Sequence, residues 1–216
     1  MNYSDLRAEV LQTTLSLLEK DLIRLSAGNI SLHDGSGNVA ITPAGQRYDQ
    51  MRAEDIPIVD LQGKKLHGDL QPSSETPMHT SILRSLPEVK GLVHTHSKYA
   101  TAFASTGTEV PVICLELIAV GGPVPVAPYA SPGSAEAGDV CVEIFQSRPD
   151  LKCLMLRNHG LISIGARLDE AYENAYKFET GAGIYHLSLG IGEPLALTRE
   201  QIDEIRRRYA GPQDTD

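Results

Sequence analysis

The sequence predicts an α/β protein: one three-layer α/β/α domain with a largely antiparallel central sheet over residues 1–210, then a polar tail over 211–216. Three observations predict it. Early strand-patterned runs are joined by short Gly, Asn and Asp turns, which only antiparallel neighbours allow. After Pro72, helical periodicity alternates with short apolar runs. Nothing repeats and no linker interrupts the chain, so its 216 residues, 41% of them hydrophobic, suit one core.

From Ser4 to Lys20, the spacing of Leu6, Val10, Leu11, Leu17 and Leu18 predicts an amphipathic helix with Ser4 as its cap. Residues 29–33 alternate, 34–38 carry turn chemistry, and 39–42 resume an apolar run, which together read as a β-hairpin. A second antiparallel pair follows, 56–61 and 65–67, across Gln62-Gly63-Lys64. Beyond Pro72 the pattern gives a helix over 76–86, a strand over 91–96 and a helix over 98–105. β-rich pieces at 110–115 and 124–127, a helix over 134–146, and strands over 151–156 and 161–164 come next. Helices over 168–189 and 198–209 complete the chain, the latter opened by Thr198 and Gln201 as a capping box.

Composition narrows the function. With 28 acidic against 19 basic residues the formal net charge is -9, so there is no footprint for nucleic acid or an anionic membrane. Any anionic ligand must be held locally. The three cysteines are odd in number and form no CxxC pair, which reads as buried thiols in a reducing compartment. The N-terminus lacks a signal-peptide pattern and no apolar run reaches membrane-span length, so a soluble cytoplasmic protein is expected.

The strongest chemical signal is Gly91-Leu92-Val93-His94-Thr95-His96. On a strand, residues i and i+2 share a face with Cβ atoms about 7 Å apart, so two imidazoles can converge on one metal ion. Leu156-Arg157-Asn158-His159-Gly160 places a third histidine at another strand end. Three histidines would leave a fourth position open, the catalytic pattern for zinc; the alternative is three unrelated strand-end histidines. Pro72-Ser73-Ser74-Glu75 sits at a helix mouth, where two hydroxyls and unpaired N–H groups can take an anion or simply cap the helix. Two further turns, Ser26-Ala27-Gly28-Asn29 and Thr42-Pro43-Ala44-Gly45, can present backbone N–H groups to a phosphate.

In that order, Gly28-Asn29-Ile30-Ser31, Thr42-Pro43-Ala44-Gly45, Pro72-Ser73-Ser74-Glu75, His94-Thr95-His96 and Asn158-His159-Gly160 resemble the class II aldolase/adducin family, and its fuculose-phosphate aldolase branch in particular. The resemblance runs from the first helix to the last. It implies a nine-stranded α/β/α domain, a fourfold homotetramer with sites near subunit interfaces, and a divalent metal, usually Zn2+, with Mn2+ or Co2+ as alternatives. His94, His96 and His159 would bind metal, and Glu75 would serve as acid/base catalyst and as a metal ligand when substrate is absent. Gly28, Asn29, Ala44, Gly45, Ser73 and Ser74 would hold the phosphate of a phosphorylated ketose. Reversible cleavage of a ketose 1-phosphate to dihydroxyacetone phosphate and an aldehyde would pass through a metal-stabilised enediolate, with Glu75 exchanging the carbon-bound proton.

The chain departs from that family in two places. Ala44 stands where a hydroxyl is common, leaving only backbone donors, and Leu115 stands where fuculose-phosphate aldolases carry a tyrosine. The proton donor to the C4 oxygen is therefore unassigned among Tyr129, Tyr209 and Glu116. Leu115 and Leu117 suggest an apolar aldehyde pocket suited to a 5-deoxy- or 5-substituted pentulose 1-phosphate. The rival readings are a ribulose-phosphate 4-epimerase or sugar-phosphate dehydratase of the same family, and an adducin-like binding module without catalysis. His79, four residues after Glu75, reads as a solvated histidine or as a hydrogen-bond partner of Glu75. Lys98 and Arg157 read as surface charge or phosphate neighbours.

Overall fold

The computed structural model describes residues 2–209, and the tail predicted over 211–216 lies outside them. The chain opens with α1 (Tyr3–Glu19), capped by Asn2, whose side-chain oxygen accepts from the Asp5 N–H at 2.9 Å. Asn2 thus takes the position expected of Ser4; the two residue types cap equally well, and the apolar stripe does not choose between them. Four antiparallel strands follow as a meander, β1 (Asn29–His33), β2 (Asn38–Ile41), β3 (Ile58–Asp60) and β4 (Lys65–His67). Between β2 and β3 the chain makes two 3₁₀ turns, Tyr48–Gln50 and Ala53–Asp55, which sequence pattern did not announce.

The second part comprises α2 (Thr76–Ser85), β5 (Gly91–Thr95), α3 (Lys98–Thr106), α4 (Leu115–Ala119), β6 (Val126–Ala127), α5 (Ala135–Ser147), β7 (Cys153–Leu156), β8 (Gly160–Gly165), α6 (Leu168–Leu189) and α7 (Arg199–Tyr209). The β-piece expected over 110–115 is corrected. Val110 makes only a bridge to Val124, and a short helix begins at Leu115. Pro111 has no N–H to extend a ladder, and Leu115-Glu116-Leu117 continues with good helix formers. At α7, Thr198 and Gln201 exchange hydrogen bonds of 2.8 and 3.3 Å, the predicted capping box.

Among the described residues, eight strands form one sheet in the order β4-β3-β2-β1-β5-β8-β7-β6, one strand fewer than the resemblance implied. Every pairing is antiparallel except β6 with β7. The pleat assigns the faces. Ser163 of β8 donates to the Ala171 carbonyl of α6, whereas Ser31 of β1 bonds His79 of α2, so α6 and α2 lie on opposite faces. Because Ser31 pairs with Leu92 and Asn29 with His94, both Asn29 and His94 face α2. No helix among the described residues is long and apolar enough to cross a membrane.

Glycine sets how closely α6 meets the sheet. A Cβ on Gly91 would stand 2.4 Å from the Leu168 Cα and 2.7 Å from the Arg167 carbonyl oxygen, at the start of α6. Gly91→Ala therefore forces that helix off the sheet. It should lower stability by about 2 kcal/mol, while Gly192→Ala, with nothing within 4 Å of its added carbon, should leave the thermal midpoint unchanged. Paired thermal melts read the difference.

Candidate metal centre

β5 ends in buried Thr95, and the next residue continues its alternation, so His94 and His96 project to the α2 side. His159 comes from the turn between β7 and β8, where Asn158 adopts φ +57°, a left-handed conformation that Asn tolerates better than most residues. Gly160 lets this turn close on β5: a Cβ there would fall 2.2 Å from the Thr95 carbonyl oxygen. The histidine ring nitrogens converge, and one ligand atom from each of the three lies within 4.8 Å of the others.

Hydrogen bonding fixes the chemistry of His94. Its Nδ1 is 2.8 Å from the Leu161 carbonyl oxygen, which only accepts, so Nδ1 carries the proton and Nε2 presents a lone pair. Burial pushes the imidazole down to about 3, so it is neutral at physiological pH. Nε2 nevertheless faces His96 Nε2 at 3.0 Å and Glu75 Oε2 at 3.1 Å, while Glu75 Oε1 lies 3.1 Å from His159 Nε2. Burial raises the Glu75 carboxyl, but the His159 hydrogen bond, the His94 imidazole and the Asn29 amide outweigh it and hold the group below the usual carboxylate range. The lone pair of the neutral His94 imidazole and the Glu75 carboxylate, converging this closely, repel one another unless a cation lies between them. The donor set therefore fits a divalent ion.

Glu75 stands at the threshold of α2, where Ser73 Oγ accepts its N–H at 3.2 Å. Asn29 Nδ2 donates to Glu75 Oε2 at 2.9 Å. Beside them opens a cleft of about 170 Å³ whose walls include Gly28, Asn29, Ala44, Gly45, Ser73, Ser74, Glu75 and His96. All three small-residue turns singled out in the sequence thus meet at one place, next to the histidines. Among the described residues, the N–H groups of Gly28, Gly45 and Ser74 find no intramolecular acceptor. Ala44 differs from expectation: its N–H is donated to the Gln71 carbonyl at 2.9 Å, so it lines the cleft without a free donor.

Sequence reasoning missed Tyr48. Its backbone N–H donates to the Leu25 carbonyl at 3.0 Å and its hydroxyl to the Gly28 carbonyl, so one residue braces both ends of the first turn. Burial pushes the phenol up to about 12, which keeps it a donor. The lone signal was an aromatic residue inside a turn-rich stretch, which does not reveal a contact across 20 residues.

Other expectations resolve differently. His79 is fully buried and bonds Ser31 Oγ at 2.7 Å, so it is neither solvated nor a side-chain partner of Glu75. Its place on α2 faces the sheet, because α2 turns that side to β1. Lys98 pairs with Asp21 at 2.8 Å, and neither it nor Arg157 lines the cleft. Leu115 and Tyr209 line a separate recess of about 630 Å³ between α4 and α7, away from Glu75. Tyr129 is exposed, and Glu116 lies in the first turn of α4.

The buried histidines predict an acid-labile fold. Burial pushes His79 down to about 4, against the opposing pull of Glu75. Between the ordinary histidine value near 6.5 and about 4, the unfolded chain binds the proton that the folded chain refuses. Stability is therefore complete above pH 6.5 and declines as pH falls through that window, with a loss on the order of 3 kcal/mol at pH 4 from this group. A thermal midpoint of the metal-free protein that falls steadily from pH 6.5 to 4 is expected; a flat profile contradicts the burial of neutral imidazoles.

Comparison with known proteins agrees with this geometry. The family model "Class II Aldolase and Adducin N-terminal domain" matches residues 8–186. The chain is 34% identical over 207 residues to a 5-deoxy-D-ribulose 1-phosphate aldolase of Bacillus thuringiensis serovar kurstaki, covering 95% of each. It is 32% identical to a 3-oxo-tetronate 4-phosphate decarboxylase of Pectobacterium atrosepticum, covering 92% of this chain and 91% of the relative. Among solved structures it superposes on an L-fuculose 1-phosphate aldolase with a TM-score of 0.89 at 30% identity, covering 97% of this chain and 98% of the other. With the sheet, the histidine cluster and the family model in agreement, the chain belongs to the class II aldolase/adducin family.

Proposed function

We propose that the chain is a divalent-metal-dependent aldolase that reversibly cleaves a ketose 1-phosphate to dihydroxyacetone phosphate and an aldehyde. One observation carries the reading: the Glu75 carboxylate touches two imidazoles of the three-histidine cluster and also lines the cleft formed by the three small-residue turns. Acid/base group, metal ligands and anion cradle thus adjoin.

His94, His96 and His159 would hold the ion, with Zn2+ first and Mn2+ or Co2+ as alternatives. A divalent cation there supplies Lewis acidity to the carbonyl and neighbouring hydroxyl oxygens of the substrate. Gly28, Gly45 and Ser74 offer backbone N–H groups to the phosphate, Ser73 and Ser74 add hydroxyls, Asn29 adds its amide, and Ala44 contributes shape. With the phosphate anchored, Glu75 takes or returns the proton on the carbon beside the carbonyl. Asn29, which already donates to Glu75, keeps that carboxylate aimed into the cleft.

The Bacillus relative supports a 5-deoxy- or 5-substituted pentulose 1-phosphate as substrate, with a fuculose 1-phosphate-like sugar as the alternative. Within one chain Leu115 and Tyr209 do not reach this cleft. We therefore assign the aldehyde end of the pocket, and the donor to the C4 oxygen, to a homotetramer whose sites lie near subunit contacts. The free cysteines Cys114, Cys141 and Cys153 suit a cytoplasmic setting. The Pectobacterium relative favours one second reading, decarboxylation of a 3-oxo acid phosphate, because loss of CO2 also leaves charge beside a carbonyl.

The test supplies metal-loaded protein with dihydroxyacetone phosphate and a panel of polar and apolar aldehydes, with products read by mass spectrometry. Condensation is expected, fastest with apolar short aldehydes, and Glu75→Gln should lower kcat by about 10²–10⁴-fold. Release of CO2 from a 3-oxo acid phosphate without any condensation would transfer the assignment to the decarboxylase.

A further inference from the structure

The three histidines are not held alike. His94 is fixed by the Leu161 carbonyl, and His159 meets Glu75 from a tight turn closed by Gly160. His96 is exposed, and its Nδ1 has no acceptor among the described residues. Its position must come from its backbone. That backbone leaves β5 after Thr95 and enters α3 through Ser97, the N-cap of the helix.

Ser97 does not cap α3 with its own side chain. Glu179, half-buried on α6, does so from 82 residues away: its carboxylate accepts the Ser97 hydroxyl at 2.7 Å, the Tyr99 N–H at 2.8 Å and the Ala100 N–H at 3.0 Å. Three bonds to an anion at a helix N-terminus, aligned with the macrodipole, make a stiff joint. The Ser97 hydroxyl also contacts Thr95 Oγ1 at 3.2 Å, so residues on both sides of His96 are tied into one network.

We infer that Glu179 is a positioning residue for the metal centre, acting through the backbone of His96 from the opposite face of the sheet. The inference rests on the metal reading above. Glu179 lines neither the cleft nor the histidine cluster, so its effect on metal affinity passes through the β5–α3 junction. Outer partners that orient ligands are worth about 10–100-fold in metal affinity, and the same range is expected here.

The experiment measures Zn2+ affinity by competition with a chromophoric chelator, for wild type, Glu179→Ala, Glu179→Gln, His96→Ala and the double variant His96→Ala/Glu179→Ala. Thermal midpoints of the metal-free proteins are recorded alongside to establish folding. Glu179→Ala should weaken binding about 10-fold or more, and Glu179→Gln should recover most of it because its carbonyl still accepts from the helix. In the His96→Ala background, loss of Glu179 should change nothing further, which a merely stabilising contact would not reproduce. Unchanged affinity in Glu179→Ala, or an equal loss in both backgrounds, overturns the role of Glu179 while leaving the metal centre intact. A wild type that takes up no metal overturns the metal reading and this inference together.

Discussion

The buried Glu75 carboxylate is the constraint around which the rest is organised. A carboxylate removed from water needs partners, and here they are two imidazoles and an amide drawn from three separate parts of the chain. His94 supplies a nitrogen that its bond to Leu161 has fixed as a lone-pair donor, so the contact is satisfied only when a positive charge shares the space. The cluster is thereby prepared for a cation before one arrives. That preparation is paid in folding stability, since neutral buried imidazoles weaken the fold in acid.

Strand periodicity delivers these groups to one point. Asn29 and His94 are cross-strand neighbours on the face turned to α2, and His96 continues the same alternation beyond the strand end. Glycines supply the close approaches that side chains would prevent. Gly28, at φ +85°, lies where a Cβ would be 2.6 Å from the His94 carbonyl oxygen, and Gly160 does the same for the turn that carries His159. The small-residue cleft and the histidine cluster therefore adjoin because both are packed against the end of β5. The opposite face contributes too, through α6 and the joint it makes with α3.

Much of this was legible in the sequence because it is local or periodic. Alternation in 29–33 and 91–96 identifies the strands, and His-x-His at a strand end states its own geometry. The helices from Thr76, Lys98, Ala135 and Leu168 follow from spacing within a residue or so of their starts. What failed depends on contacts that spacing does not encode. Val112-Ile113-Cys114 has strand chemistry, yet the neighbouring Pro111 denies it a ladder and a helix begins at Leu115. His79 looked solvated because its partner, Ser31, is 48 residues away on the strand beneath α2. Tyr48 reaches 20 residues back and Glu179 82, and the free N–H groups of the cleft could be told from the spent one at Ala44 only by locating Gln71.

The proposed reaction has Glu75 move a carbon-bound proton beside the histidine-held metal. Its most direct test omits the aldehyde: metal-loaded protein is incubated with dihydroxyacetone phosphate in D2O, and the hydroxymethyl signals are followed by NMR. Uptake of a single deuterium on one face of that carbon is expected, abolished by chelation and by Glu75→Gln. Exchange that persists in Glu75→Gln, or that ignores removal of the metal, would contradict it.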